Sequence, residues 1–314
     1  MKQKGKTQSL LVALGGNALI RKGQVGTVEE QFENLKVPIR QIARLSRRFK
    51  ILITHGNGPQ VGNLLLQQEC CSEVPRLPLE ILVAQTQGQI GYMIESVLDS
   101  ELMALGIQYQ QFIVSLISYV VVDENDPAFL EPTKPIGPVL QEQTAMNAPY
   151  PVRKTPKGFR RVVVSPKPVT IVEKREIKKL IEQDFIVICC GGGGIPVVRE
   201  GRSFCGVDAV IDKDLASSKL AEEVDVDIFL IATDEKGAAI HYGSAEQEFL
   251  REITVDQATE YLKEGQFPPG SMGPKVEAAI QFVQSGGKRA VITSIDSIEA
   301  AISGDAGTEI RPNP

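Results

Sequence analysis

Three lysines stand apart from the other cationic residues because of what flanks them. Lys213 lies between Asp212 and Asp214 in Val-Ile-Asp-Lys-Asp, after an apolar run and at a predicted helix start. Lys275 follows Gly270-Ser-Met-Gly-Pro, a second predicted helix start, and Lys134 sits in Pro-Thr-Lys-Pro-Ile-Gly-Pro. A lysine on an ordinary helix face is simply solvated. Around Lys134 and Lys275 the prolines and glycines constrain the backbone, so an ammonium group there can be aimed. Fixed positive charge suits phosphoryl transfer, in which the protein positions two negative reactants in line and neutralises their oxygens. Asp214 reads either as a surface ion-pair partner of small energetic value or as a carboxylate that turns lysines toward a phosphate. An acceptor that is already ionised needs no base, which agrees with a chain holding only His55 and His241.

Phosphate also needs N–H donors. Gly15-Gly16-Asn17, Gly56-Asn57-Gly58-Pro59 and Gly191-Gly192-Gly193-Gly194 each follow a predicted strand directly. Each alone is a tight turn. Three at equivalent positions point to anion binding, because ligands of open α/β sheets bind outside the carboxyl ends of the strands and glycine lets backbone N–H groups approach a phosphate. The common nucleotide fingerprints are missing: no G-x-x-x-x-G-K-[ST], no G-x-G-x-x-G after a strand, and no H-R-D or D-F-G set.

The elements that would carry these residues alternate. Strand-like runs at Leu10–Leu14, Lys50–Thr54, Gln111–Ser118, Ile186–Cys190, Asp227–Ala232 and Arg289–Thr293 are separated by helical patterns. Those patterns cover Val28–Arg47, Leu79–Leu105, Lys174–Gln183, Asp212–Glu223 and Pro274–Gln284, with Pro38 expected to kink or interrupt the first. The alternation predicts parallel strands covered on both faces by helices. Residues 123–169 break the rhythm with repeated prolines, and Tyr150–Arg153 and Arg160–Ser165 read as a hairpin around Lys157-Gly158. The segment is either a surface decoration or an inserted subdomain, since a structureless loop of ~45 residues is unusual in a compact domain.

A length of 314 residues with 42% hydrophobic and 23% charged residues suits one large domain with an insertion. The net charge of −5, without a basic stripe, argues against a nucleic-acid partner. No run reaches the ~18–20 apolar residues of a membrane span, and Met1–Thr7 followed by Leu10–Leu14 reads as a strand start, not a signal peptide. Five cysteines, four of them in the adjacent pairs Cys70–Cys71 and Cys189–Cys190, predict reduced thiols in a cytoplasmic protein.

Taken together these segments resemble the carbamate kinases of the amino acid kinase family from end to end. The resemblance rests on Ala-Leu-Gly-Gly-Asn-Ala-Leu at 13–19, Thr-His-Gly-Asn-Gly-Pro-Gln-Val-Gly at 54–62 and Gln-Gly-Gln-Ile-Gly-Tyr at 87–92. It continues through Asp-Pro-Ala-Phe at 126–129, Pro-Thr-Lys-Pro-Ile-Gly-Pro at 132–138, Arg-Arg-Val-Val at 160–163 and the glycines at 191–194. Val-Ile-Asp-Lys-Asp-Leu-Ala at 210–216, Gly-Ser-Met-Gly-Pro-Lys-Val at 270–276 and Gly-Thr-Glu-Ile at 307–310 complete it. At 83–86 the chain reads Val-Ala-Gln-Thr where Ala-Met-Ser is more usual in the family.

The resemblance implies a three-layer α/β/α sandwich around a mostly parallel sheet, one domain over 1–314 with a protruding subdomain at 123–169, and a homodimer. It implies exchange of ATP plus carbamate with ADP plus carbamoyl phosphate, in either direction, within arginine metabolism. Lys213 and Lys275 would contact the transferring phosphoryl group, Asp214 would organise them and Lys134 would close the acceptor site. Gly15, Gly16, Asn17, Gly56 and Asn57, with Gly192 and Gly193, would surround the acceptor. Tyr242 and Met272 would border the adenine, beside Lys213 and Lys275, and Mg²⁺ would ride on nucleotide phosphates and water with no protein metal site. Two alternatives stand beside this reading. One is an acyl-phosphate-forming kinase for a longer acceptor such as acetylglutamate, which the Lys134 insertion would block. The other is a non-catalytic nucleotide-binding or storage protein, which has no need of Lys213, Asp214 and Lys275 together.

Overall fold

The computed structural model describes residues 7–155 and 158–314. Its centre is a sheet of eight strands: β1 (Ser9–Leu14), β2 (Lys50–His55), β3 (Phe112–Ser115), β4 (Phe185–Ile188), β5 (Ile228–Thr233), β6 (Glu252–Thr254), β7 (Arg289–Ser294) and β8 (Thr308–Arg311). They lie in the order β6-β8-β7-β5-β1-β2-β4-β3. From β7 to β3 every pairing is parallel; β8 runs antiparallel to β7 and carries β6 with it. The mostly parallel sheet expected from the alternation is present.

All six residues of β1 are buried, as a central parallel strand with both faces covered requires. Successive side chains point to opposite faces. Leu11 and Ala13 pack with α5 (Lys174–Glu182), α6 (Lys213–Glu223), α7 (Val255–Lys263) and α8 (Met272–Gln284). Leu10, Val12 and Leu14 pack with α1 (Val28–Leu45), α3 (Leu79–Ala104) and α9 (Ile298–Ile302). These are the three layers. α1 opens with a capping box between Thr27 and Glu30 and runs through Pro38 as one helix, so the interruption expected there does not occur. The strand expected over 111–118 covers only Phe112–Ser115.

Three smaller sheets accompany the large one among the described residues, the least of them pairing Ala239–Ile240 with Glu248–Phe249. Another orders Ser203–Gly206, Ile195–Glu200, Tyr119–Val122 and Pro168–Ile171. Between its last two strands, over 123–167, the chain makes an excursion. There Gly158–Val163 pairs antiparallel with both Lys134–Leu140 and Val152–Thr155, and α4 (Glu142–Met146) lies alongside. The hairpin is thus real but its strands are shifted from the expected 150–153 and 160–165; its turn at Pro156-Lys157 lies outside the described residues. The excursion rests on α2 (Gly58–Glu69). Ile136 is fully buried against Val61, Leu65 and Val83, and a Cβ on Gly62 would lie 2.1 Å from both Cα and N of Gly137. Only glycine allows that approach, and Gly137 itself has φ of 70°.

Candidate active site

Lys213 is the first residue of α6, and its start is set by Asp212. The Asp212 carboxylate accepts the N–H of Asp214 at 2.9 Å and of Leu215 at 3.3 Å, an ordinary aspartate cap. α8 starts two residues earlier than its sequence pattern suggests, at Met272, with Gly273 N–H donating to the Pro268 carbonyl at 3.1 Å. Pro274 fits because the first turn has no intrahelical acceptor for its missing N–H. Both lysines therefore stand at helix N-termini. The positive helix ends disfavour a cation and favour an anion there, so a carboxylate between them offsets the two ammonium groups.

Asp214 is that carboxylate. Oδ1 accepts from Lys213 Nζ at 2.6 Å and Oδ2 from Lys275 Nζ at 3.0 Å. All three are largely buried, with side-chain exposures of 10% for Lys213, 18% for Lys275 and 5% for Asp214. Burial alone would raise the Asp214 carboxyl, but the two ammonium charges and their hydrogen bonds hold it well below the usual carboxylate range. Burial pulls Lys213 down, aided by Lys275 and only partly opposed by Asp214. Burial also acts on Lys275, where the pull of Asp214, Asp212 and Asp234 outweighs it and raises the ammonium. Lys134 reaches the same cluster from the excursion and ion-pairs with Asp212 Oδ2. Burial pushes Asp212 up, yet its carboxyl is lowered on balance, chiefly by the Lys134 charge.

The turns expected to supply donors divide into two kinds. Gly16 and Gly56 border the lysines: a Cβ on Gly56 would lie 3.6 Å from Gly16 N and 3.8 Å from Lys213 Cδ. The N–H groups of Gly15 and Gly56 are already used, by Ala232 O at 2.9 Å and Leu14 O at 3.1 Å. The open donors lie just beyond, where a 3-10 turn begins at Gly16 and helix α2 at Gly58, since first-turn N–H groups have no intrahelical partner. The third turn is buried underneath. A Cβ on Gly192 would meet Asn57 Nδ2 at 2.2 Å, one on Gly193 would meet Ile211 O at 2.6 Å, and Gly193 N–H already donates to Cys190 O at 3.1 Å. Glycine at 192 fits against Asn57 and glycine at 193 against Ile211, where a larger residue would clash.

Thr86, Gln87, Ser118, Thr54 and Ser217 support the site but were not singled out as site residues from sequence. Asn57 Nδ2 donates to Thr86 Oγ1 at 2.9 Å, which ties the second glycine turn to α3. Gln87 grips Ser118 through its N–H at 2.9 Å and its carbonyl at 3.1 Å, and reaches Gly191 O at 3.1 Å. Thr54 Oγ1 lies 2.6 Å from Ser217 Oγ, which donates to the Lys213 carbonyl at 2.7 Å, tying β2 to the start of α6. Polar residues on otherwise apolar stretches were the available signal. Buried His55 donates from Nδ1 to Gly56 O at 3.2 Å; burial, with the Lys213 charge, lowers it to about 4. Tyr242 is half-exposed and donates to Glu235 Oε1 at 2.8 Å, while Met272 is buried at the start of α8. The turn holding Tyr242 is tied by His241 N–H to Gln266 Oε1 at 3.1 Å, just before the segment that leads into α8.

Comparison with known proteins gives the same picture. The model of the amino acid kinase family matches residues 8–294. A carbamate kinase of Pyrococcus furiosus is 46% identical over 96% of this chain and 99% of that protein, and one of Thermococcus kodakarensis is 48% identical over 96% and 98%. The solved structure of a carbamate kinase from Giardia lamblia bound to AMP-PNP superposes with a TM-score of 0.89 at 39% identity, covering 98% of this chain and 99% of that one.

Proposed function

The chain belongs to the amino acid kinase family, among its carbamate kinases, and from that premise we propose that it exchanges a phosphoryl group between carbamoyl phosphate and ADP. The observation that carries this reading is the sharing of one buried carboxylate, Asp214, by Lys213 and Lys275 beside the Gly16 and Gly56 turns. In the ATP-forming direction a β-phosphate oxygen of ADP attacks the phosphorus of carbamoyl phosphate, the bond from phosphorus to the carbamoyl oxygen breaks, and carbamate leaves as an anion. The reverse reaction uses carbamate oxygen as nucleophile. No proton has to move in either direction, so the site needs charge and alignment instead of a base.

The charge is available. Lys134, Lys213 and Lys275 meet at Asp212 and Asp214, so the ammonium groups outnumber the carboxylates paired with them. In this reading Lys213 and Lys275 follow the phosphoryl oxygens, Asp214 keeps them aimed, and Gly16, Asn17 and the start of α2 donate N–H groups to the transferring group and acceptor. Residues 123–169 act as a lid on the single domain, with Lys134 closing over a small acceptor; this argues against a longer one such as acetylglutamate. Met272 and Tyr242 border the adenine. Mg²⁺ accompanies the nucleotide phosphates, since both aspartates of the cluster are engaged by lysines.

The reading extends to assembly and surroundings. The outer edge of β3 ends the large sheet, and exposed Tyr109, Phe112 and Ile117 beside it support a homodimer through that edge. The five cysteines are unpaired, which supports a reducing, cytoplasmic setting. Among the described residues no helix is long and apolar enough to cross a membrane.

The test is ATP formation from carbamoyl phosphate and Mg-ADP, run beside acetylglutamyl phosphate. Turnover confined to the first substrate is the expected result. ATP at only the uncatalysed rate removes the assignment.

A further inference from the structure

Asp212 touches both halves of the site. Its Oδ2 accepts from Lys134 Nζ, on the strand Lys134–Leu140 of the excursion. Its Oδ1 accepts the N–H groups of Asp214 at 2.9 Å and Leu215 at 3.3 Å, which starts α6. The ion pair is shielded, with side-chain exposures of 29% for Lys134 and 18% for Asp212. The next residues of that strand are fixed as well: Ile136 is fully buried and Gly137 is pressed on Gly62. A long lysine side chain with no counter-charge would turn away from two other ammonium groups toward water. Here it is held beside them by the residue that immediately precedes Lys213.

We propose that Asp212 is a positioning residue that couples the excursion to the phosphoryl lysines, one oxygen holding Lys134 over the acceptor while the other sets the start of α6. The proposal rests on reading Lys134 as an acceptor contact. When the anionic substrate enters, the Lys134 ammonium has a second acceptor at hand, while Asp212 keeps its grip on the helix. The geometry therefore separates two roles that most substitutions would remove together. Asparagine caps a helix about as well as aspartate but carries no charge for Lys134. Alanine loses both.

Asp212→Asn should leave the thermal midpoint within about 2 °C of the parent protein, with Asp212→Ala falling further because the cap is gone. In ATP formation, Asp212→Asn should raise KM for carbamoyl phosphate about tenfold and leave KM for ADP within about twofold, the pattern of a misplaced acceptor contact. In a Lys134→Met background the same substitution should add nothing, because the pair acts through one ammonium group. Multiplying effects in the double variant, or equal rises in both KM values, overturn the proposal. A second readout needs no activity: amide hydrogen exchange along Lys134–Leu140 in the ligand-free protein should speed up in Asp212→Asn, and unchanged protection overturns the coupling. If the parent protein forms no ATP, the reaction assignment falls while the exchange measurement still decides the link.

Discussion

The phosphoryl cluster and the excursion over it present positive charge in opposite ways. Lys213 and Lys275 stand on the first turns of α6 and α8, inside the packed layer, and share one carboxylate buried to 5%. Lys134 stands on a strand of a three-stranded sheet that meets the body through α2, and a single ion pair aims it. Many contacts over-determine the first arrangement; a few, chiefly the Gly62–Gly137 approach, Ile136 and Asp212, determine the second. Reacting atoms need fixed charge at the moment of transfer, whereas an acceptor site must open to exchange its ligand. Under the proposed roles, each kind of lysine stands on the kind of scaffold its task would require.

That contrast can be broken most forcefully at the rigid side. Lys213→Ala or Lys275→Ala should lower kcat by roughly 10²–10⁵, the range for losing a charged transition-state contact. Steady-state turnover together with ADP binding by calorimetry checks this, and weakened binding with intact turnover would contradict the assigned roles. A middling effect is expected at the hinge between the regions. Gly62→Ala forces a Cβ to within 2.1 Å of Gly137 backbone, so the excursion must lift. It should resemble Lys134→Ala, raising KM for carbamoyl phosphate more than KM for ADP, with the core unfolding transition retained. Equal effects on both substrates would show that the excursion does not govern the acceptor.

The smallest expected effect concerns His55, behind the cluster. Its folded value of about 4 lies below the ordinary histidine value of 6.5, so the unfolded chain binds the extra proton first as pH falls. Stability is full above pH 6.5 and is lost progressively down to about pH 4, by up to ~1.4 kcal/mol per pH unit in that window. Thermal melts between pH 4 and 7 should flatten in a His55→Gln variant. An unchanged slope would place the acid sensitivity elsewhere.

The sequence made the layers legible because strand and helix periods differ and parallel strands need helices between them. It also singled out Lys213, Lys275 and Asp214, whose flanking residues set helix starts. Three glycine turns looked equivalent, yet only those at 15–17 and 56–58 face the lysines. The one at 191–194 fits under Asn57, a tertiary contact that no spacing reveals. α2 was hidden because Gly58-Pro59-Gln60-Val61-Gly62 reads as turn; a proline and a first-turn glycine are tolerated there by the rules of helix starts. Asp212 fell at a predicted helix start, but no spacing marks it as the cap of α6 or as the partner of Lys134, which lies 78 residues away.

The excursion leaves after Val122 and returns at Pro168, and those two residues are antiparallel neighbours in the second sheet. Its ends are therefore about one strand spacing, ~4.8 Å, apart. A segment anchored in this manner behaves as an exchangeable cassette. Lineages could lengthen, shorten or replace it without re-threading the large sheet or the helices that carry Lys213 and Lys275, which offers one chemistry a route to new acceptors.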